Sequence, residues 1–241
     1  MFEIAKKPSL KFVAEVRHSQ EVTLIGTADF EFWRKKLSSE HVAPSEINGR
    51  TELIITAVAS RWMGVRFTEL TFAVSLSHES SSRSPSSVYL VTAYNTSRSF
   101  AFMERAMFQT PYVHGAVQVQ CGSRPSFWLR QGTTNVLQVA RRELSCPKPS
   151  INEMLDWTIH LPTRSRKAQP TRNLFYARLS GLTDITPFIA SADTLKITES
   201  ASQPVLGWLL ESNFTGREWH IRNSATHART KTYRTIGNAP V

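Results

Sequence analysis

The alternation of apolar and polar residues along most of the chain predicts β-strands. It is clearest over residues 67–77, where every second side chain points to one apolar face: Leu70, Phe72, Val74 and Leu76. The opposite face begins with an aromatic residue and is otherwise small or polar: Phe67, Glu69, Thr71, Ala73 and Ser75. Residues 52–62 are apolar on both faces, which is typical of a strand that is covered on both sides.

Other segments show the same tendency and are predicted as strands at 11–17, 22–27, 88–95, 113–119, 126–130, 135–141, 157–161, 174–180 and 195–199. Residues 219–233 also alternate, but they are polar on both faces. This pattern predicts that residues 216–241 form an edge strand or a partly ordered tail.

Helical spacing occurs in short segments only. Asp29 precedes apolar residues spaced by three and four, which predicts a helix with Asp29 as its N-cap. A second helix is predicted from the capping residues at 96–99 to about residue 108, with a buried stripe of Phe100, Met103 and Met107. Pro111 ends it, and a third helix is predicted at 205–210.

Strands dominate and do not alternate with helices, which argues against a parallel α/β fold. We predict a mostly β chain built as a single antiparallel closed β-barrel or bent sheet, with a few short covering helices. No break rich in Pro, Gly or Ser divides the 241 residues, so we expect a single domain over 1–241.

The composition is that of a folded soluble protein, with 41% hydrophobic and 20% charged residues. Cys121 and Cys146 indicate neither a disulfide framework nor a zinc site. No signal peptide and no membrane-spanning apolar run is visible, so we expect a cytoplasmic protein without membrane contact. Catalytic and cofactor motifs are absent from the sequence, and we expect no cofactor and no metal.

The formal net charge of +10 is uneven, because residues 121–241 carry 16 Lys or Arg against 8 Asp or Glu, a net of +8. One interpretation is a solvated surface that keeps the protein soluble. The alternative is a nucleic-acid or polyanion-binding protein that uses interleaved cations and aromatic rings. The residues that would carry it are Trp219, His220, Arg222, Arg229, Lys231, Tyr233 and Arg234.

Glu69 is the first candidate for a functional residue. In a barrel whose outer face is covered, the small polar face of its strand points into a cavity, where a buried carboxylate has a raised pKa and can act as a general base. The structural alternative is a solvent-facing glutamate on a sheet that is covered on one side only.

Tyr112 and His114 are two positions apart and are expected to share one face of a strand, where His114 would carry protons and Tyr112 would donate a hydrogen bond. Arg105 is a candidate for binding a substrate carboxylate, with Arg98 on the same helix face. The alternative for His114 is a hydrogen-bonded structural role. The alternative for Arg105 is an ion pair with a neighbouring acid or a charge at the helix end.

The passage ERAMFQTPYVHGAVQV at residues 104–119 resembles acetoacetate decarboxylases, which read Gly-Arg-Glu, two residues, then Gly-aromatic-Pro-Lys-Lys. The preceding strand with Glu69 resembles the strand that holds an active-site glutamate in those enzymes. The likeness covers about residues 50–120, and it is closest to an uncharacterised branch of the superfamily that lacks the lysine. It implies a closed β-barrel around a ligand cavity, a small organic ligand and assembly into dimers or larger oligomers.

The chain departs from this family at the catalytic positions. With Pro111 on the family proline, Arg105 matches the arginine, Ala106 replaces the glutamate, and Tyr112 and Val113 replace the two lysines. Because the decarboxylases need an amine to form a Schiff base, that chemistry is not expected here. The prediction is a protein that binds a small organic acid or carbonyl compound. It either catalyses acid–base chemistry through Glu69, Tyr112 and His114 or only senses its ligand.

Overall fold

The computed structural model describes residues 10–77, 86–142, 150–163 and 171–236. The strands are β1 (Phe12–Asp29), β2 (Arg50–Trp62), β3 (Val65–Ser75), β4 (Ser86–Asn95), β5 (Tyr112–His114), β6 (Ala116–Gln120), β7 (Ser126–Gln131), β8 (Thr134–Ala140), β9 (Ile151–Leu161), β10 (Thr171–Pro187), β11 (Thr194–Ile197), β12 (Thr215–Thr230) and β13 (Tyr233–Ile236). The helices are α1 (Phe30–Leu37), α2 (Arg98–Met107) and α3 (Pro204–Glu211), with a 3-10 turn at Ser38–Glu40. The prediction of a mostly β chain with few short helices is confirmed.

The larger sheet curves into a nearly closed ring. Its strands follow the order β12–β1–β2–β3–β4–β9–β10, and β10 pairs in turn with β12. β5 extends the sheet beside β4, and β13 pairs with the first residues of β10. The predicted closed barrel or bent sheet is therefore confirmed for the described residues.

Two features of the sheets differ from the single antiparallel sheet that was expected. β4 pairs in parallel with both β5 and β9, because the chain leaves β4 through helix α2 and later returns in the same direction. In addition, β6, β7, β8 and β11 form a separate antiparallel sheet in the order β11–β8–β7–β6. This second sheet covers one face of the ring.

β12 is a central strand and not the edge strand or tail expected for residues 216–241. It pairs with β1 on one side and with β10 on the other. Its outward residues Trp219 and Ile221 are buried in the main core. The polar pattern that suggested an exposed strand comes from Arg222, which is buried, and Arg229, which is partly buried; both face the inside of the ring.

The core lies between the ring and the second sheet. Leu70 and Phe72 of β3 are at most 1% exposed and share one buried cluster with Leu137 of β8 and Leu206 of α3. This confirms that the apolar stripe of β3 faces a covered side. The burial of such side chains is the main favourable term in folding.

The helices begin where their capping residues predict. Asp29 accepts a hydrogen bond from Phe32 N over 2.7 Å at the start of α1, and Ser97 accepts from Phe100 N over 3.4 Å at the start of α2. In α2 Ala101 is buried, Phe100 and Met103 are partly buried, and Met107 is 70% exposed, so the predicted buried stripe of Phe100, Met103 and Met107 is wrong at Met107. None of the helices in the described ranges is long and apolar enough to cross a membrane.

Gly26 allows β1 to approach β12 closely. A Cβ atom at this position would lie 2.3 Å from the carbonyl oxygen of Thr215 and 2.5 Å from the ring of Phe214. We expect the substitution Gly26→Ala to lower the free energy of unfolding by about 1–3 kcal/mol, as overpacking does. Urea denaturation measures this change.

Gly207→Ala is the matched control. A Cβ atom at Gly207, in α3, would lie 3.7 Å from the nearest heavy atom, and alanine is favoured over glycine in a helix by about 1 kcal/mol. We expect the free energy of unfolding to stay equal or to rise. Equal stability of Gly26→Ala and the wild type would contradict the close packing of β1.

Candidate functional site

Glu69 of β3 accepts two hydrogen bonds inside the ring. Asn95, its partner across the β3–β4 pairing, donates from Nδ2 to Oε1 over 2.8 Å. Tyr112 donates its hydroxyl hydrogen to Oε2 over 3.0 Å. β5 brings Tyr112 to this point because it pairs in parallel with β4. Three neighbouring strands thus fix both oxygens of one carboxylate.

A second carboxylate, that of Glu104 in α2, is held by an arginine. Arg229 Nη1, in β12, donates to Glu104 Oε1 over 2.9 Å and to Oε2 over 2.7 Å. Thr110 Oγ1 donates to Glu104 Oε2 over 2.9 Å. The Arg229 guanidinium also stacks on Phe108 and Phe175, 4.5 and 4.1 Å from their ring centroids. Charge and stacking together fix this pair.

A third group surrounds Glu21 of β1, whose side chain is 1% exposed. Arg222 forms a salt bridge with Glu21 through Nη1 and reaches Glu153 Oε2 through Nη2 over 2.7 Å. Thr23 donates a hydrogen bond to Glu21 Oε1 over 3.1 Å. His227 Nε2 lies 3.0 Å from Glu21 Oε2, but the two are too misaligned for a hydrogen bond, so this contact is electrostatic.

These contacts cross the inside of the ring. Arg222 belongs to β12 and Glu153 to β9, and β10 lies between these two strands. Because side chains of non-neighbouring strands meet only where they point inward, the groups lie within the ring. We call them the interior network: Glu21, Glu69, Glu104, Tyr112, Glu153, Arg222, His227 and Arg229.

Burial and the nearby charges shift the pKa values of two side chains in this network, Glu69 and Tyr112. Burial and the charge of Glu104 raise the pKa of Glu69 to about 7, against the opposing effects of Tyr112, Asn95 and His227. Burial and the charges of Glu69 and Glu104 raise the pKa of Tyr112 well above its usual value. Near neutral pH, Glu69 therefore exchanges a proton while Tyr112 remains a neutral hydrogen-bond donor.

Glu21 shows the opposite behaviour because it has charged partners. Burial alone would raise its pKa, but the direct contact with His227 and its charge, the charge of Arg222 and the hydrogen bond from Thr23 lower the pKa of Glu21 to about 2. Glu21 thus stays ionised at neutral pH, whereas Glu69 does not stay fully ionised. The contact with His227 and the charge of Arg222 account for the difference.

Glu69 is enclosed by protein and still keeps accessible surface. Thr71 and Ala73, on the same face of β3, are partly accessible too, whereas Leu70 and Phe72 on the opposite face are buried. The inner face of β3 is therefore less tightly covered than its outer face.

The structure brings together two of the predicted site residues. Glu69 and Tyr112 are hydrogen-bonded in the interior network. His114, Arg105 and Arg98 are exposed. The convergence of Arg105 and His114 with Glu69 and Tyr112 on one pocket stays a prediction, as does the supporting role of Arg98.

The exposure of His114 and Arg105 has local causes. β5 has three residues, and both Val113 and His114 are exposed in it, so the alternation predicted for this strand does not hold. In α2 Ala101 is buried and Glu104 is partly buried, whereas Arg105, which is four residues after Ala101, is exposed.

Sequence reasoning missed Glu104, Asn95 and Arg229. Helical spacing of three from Ala101 could have identified Glu104, had the helix been aligned on its small residue rather than on its methionines. Asn95 could be found as the residue opposite Glu69 once the β3–β4 register is known. No local signal identifies Arg229, because its partner Glu104 lies 125 positions earlier.

The cations and aromatic rings of residues 219–234 do not form one exposed surface. Trp219 is 0% exposed and donates from Nε1 to Asp193 Oδ2 over 2.9 Å. Arg222 and Arg229 are paired with carboxylates inside the ring. The residues proposed for polyanion binding are thus divided between the core, the interior network and the surface.

The interior network does not form a metal site, although it contains residue types that bind metals. Arg222 contacts both Glu21 and Glu153, so its guanidinium takes the place that a cation would occupy between them. Throughout the described ranges, no group of three or more His, Cys, Asp or Glu side chains could hold a metal ion.

No family model matches the chain, and no curated protein matches its sequence. Solved structures do resemble it over nearly its whole length. One is the enduracididine biosynthesis enzyme MppR complexed with pyruvate, with a TM-score of 0.63 and 10% identity, covering 95% of this chain and 93% of that one.

Two further structures are acetoacetate decarboxylases. One has a TM-score of 0.60 and 15% identity, covering 93% of this chain and 91% of its own. The other, from Legionella pneumophila, has a TM-score of 0.58 and 10% identity, covering 97% and 93%. At these identities the likeness establishes the fold alone, and the chain has the acetoacetate-decarboxylase-like fold.

Proposed function

We propose that the protein binds a small organic acid or other carbonyl compound inside the ring, and that Glu69 provides acid–base chemistry to it. The observation that carries this proposal is the position of Glu69: enclosed in the ring, partly accessible and bonded to Asn95 and Tyr112. An ionised Glu69 is the candidate base, and its protonated form is the candidate acid. A carboxyl with a pKa of about 7 supplies both forms near neutral pH.

Tyr112 supports this function as a hydrogen-bond donor. Its hydroxyl is held by Glu69, and its raised pKa keeps it protonated. A ligand carbonyl oxygen that replaced Glu69 as its acceptor would be polarised by the same hydroxyl. Tyr112 therefore orients the ligand, and Glu69 moves the proton.

A Schiff-base mechanism is not part of this proposal. Tyrosine and valine occupy the positions that match the two lysines of the decarboxylases. Every lysine in the part of the chain that the structure describes is exposed: Lys11, Lys35, Lys36, Lys196 and Lys231. An exposed lysine lacks the desolvated surroundings that activate the amine of a Schiff-base lysine.

The structural relatives favour a small carbonyl ligand. MppR, which shares this fold, has been solved with pyruvate bound. Fold alone does not define a ligand, so the proposal depends on the residues inside this ring.

Filling the inside of the ring should abolish binding. Thr71 faces this space from β3, and we expect Thr71→Phe to weaken binding of small carbonyl compounds by more than about tenfold through steric exclusion. Ligand-observed NMR measures the change. Thr134→Phe, at an exposed position of β8, is the control and should bind as the wild type does. Unchanged binding by Thr71→Phe would place the ligand elsewhere.

Treatment with borohydride in the presence of pyruvate should leave the mass of the protein unchanged, because no buried amine of the described residues is available to form an imine. Intact-protein mass spectrometry reads the result. A covalent adduct that forms in the wild type but not in Thr71→Phe would contradict the assignment of acid–base chemistry.

The protonation of Glu69 should make stability depend on pH. Because its pKa is about 7 in the folded protein against 4.5 for the free group, the folded state binds more protons between these values. The free energy of unfolding should therefore fall by about 1–3 kcal/mol as the pH rises from 4.5 to 7. Urea denaturation across this range measures it.

Glu69→Gln should remove this fall, since glutamine does not titrate. Glu31→Gln, which changes an exposed glutamate of α1, should retain it. Identical pH profiles for the wild type and Glu69→Gln would show that Glu69 titrates normally.

A further inference from the structure

The interior network contains more carboxylates than cations. Among the described residues, its carboxylates are Glu21, Glu69, Glu104 and Glu153, and its arginines are Arg222 and Arg229. His227 adds at most one further positive charge. Four acidic groups therefore face three basic ones inside a ring whose chain carries a net charge of +10.

Each arginine is already paired with carboxylates of the network. Arg222 is 2% exposed and is divided between Glu21 and Glu153. Arg229 makes two bonds to Glu104 through Nη1, while its Nη2 atom is buried and has no hydrogen-bond partner among the described residues. A ligand carboxylate would have to displace one of these pairs, which leaves a buried glutamate without its partner.

Glu69 is the one carboxylate of the network without an arginine. Its two oxygens accept from neutral groups only, the amide of Asn95 and the hydroxyl of Tyr112. Within the described residues, no lysine or arginine contacts it. It also keeps accessible surface toward the inside of the ring. A ligand that enters this space thus meets a carboxylate in need of a positive charge or a hydrogen-bond donor.

We propose that the ring selects carbonyl compounds that lack a carboxylate, and favours those that place a protonated amine against Glu69. The inference rests on the proposed function and narrows its ligand class. Of the small organic acids and carbonyl compounds proposed above, the ring binds the neutral and cationic carbonyl compounds and disfavours the carboxylates. An anion is repelled by Glu69 and Glu104, and both arginines are already paired with carboxylates of the network. An ammonium group supplies the charge that Glu69 lacks.

Three small probes of similar size test this selection: pyruvate, its neutral amide pyruvamide, and the amine aminoacetone. Each is titrated at pH 7 by ligand-observed NMR, and binding inside the ring is defined as the part that Thr71→Phe removes. We expect pyruvamide to bind about tenfold more tightly than pyruvate, and aminoacetone at least as tightly as pyruvamide.

Glu104→Gln tests the cause of the selection. It releases Arg229 from its carboxylate partner, so pyruvate should gain about tenfold in affinity relative to pyruvamide. Glu31→Gln removes a glutamate from an exposed pair with Arg34 and should leave the order of the probes unchanged.

A second variant tests the same selection in case Glu104→Gln does not fold. Glu69→Gln should abolish the advantage of aminoacetone over pyruvamide, because glutamine carries no charge for the amine. If the advantage persists in Glu69→Gln, the assignment of the amine to Glu69 is wrong.

The outcomes separate the two proposals. Tighter binding of pyruvate than of pyruvamide inside the ring overturns the charge selection and leaves the proposed function in place. Failure of all three probes to bind in a manner sensitive to Thr71→Phe overturns the proposed function itself, and the selection with it.

Discussion

The enclosure of Glu69 without a cationic partner is the constraint on which the site depends. Burying a carboxylate is costly unless hydrogen bonds or charges compensate for it. Asn95 and Tyr112 offset part of this cost through two hydrogen bonds, while Glu104 adds to it. Arg229 is engaged by Glu104 and cannot relieve the repulsion. The result is a carboxyl that is stable in either protonation state near neutral pH, which is the property that acid–base chemistry requires.

The fold permits this arrangement because the two faces of β3 have different surroundings. Leu70 and Phe72 pack against the second sheet and supply stability, whereas Glu69 and Thr71 face the inside of the ring. The core therefore does not depend on the polar groups. Helix α2 and strand β12 complete the site by bringing Glu104 and Arg229 into contact.

Local patterns allowed much of the fold to be predicted. The alternation in β3 indicated both of its faces, and the capping residue Asp29 located the start of α1. The sequence also indicated Glu69 as a candidate functional residue, with a solvent-facing glutamate as the alternative. It could not indicate the role of Arg229, because that role is defined by a contact with a residue distant in the sequence. The alternation of β12 led to the wrong prediction of an edge strand, because the polar residues of β12 face a polar interior. The alternation of apolar and polar residues predicts which side chains pack against an apolar core, but it does not predict which distant charged residues form pairs.

The most direct test of this account is the titration of the Glu69 carboxyl itself. In protein labelled with 13C at the glutamate side-chain carboxyl, NMR spectra from pH 3 to pH 9 resolve the individual titrations. We predict one carboxyl resonance with a midpoint near pH 7 that is missing from Glu69→Gln, because burial and Glu104 raise the pKa of Glu69 to about 7. If every resonance lost in Glu69→Gln titrates with a midpoint below pH 5, Glu69 is not an enclosed carboxyl and the proposed site is wrong.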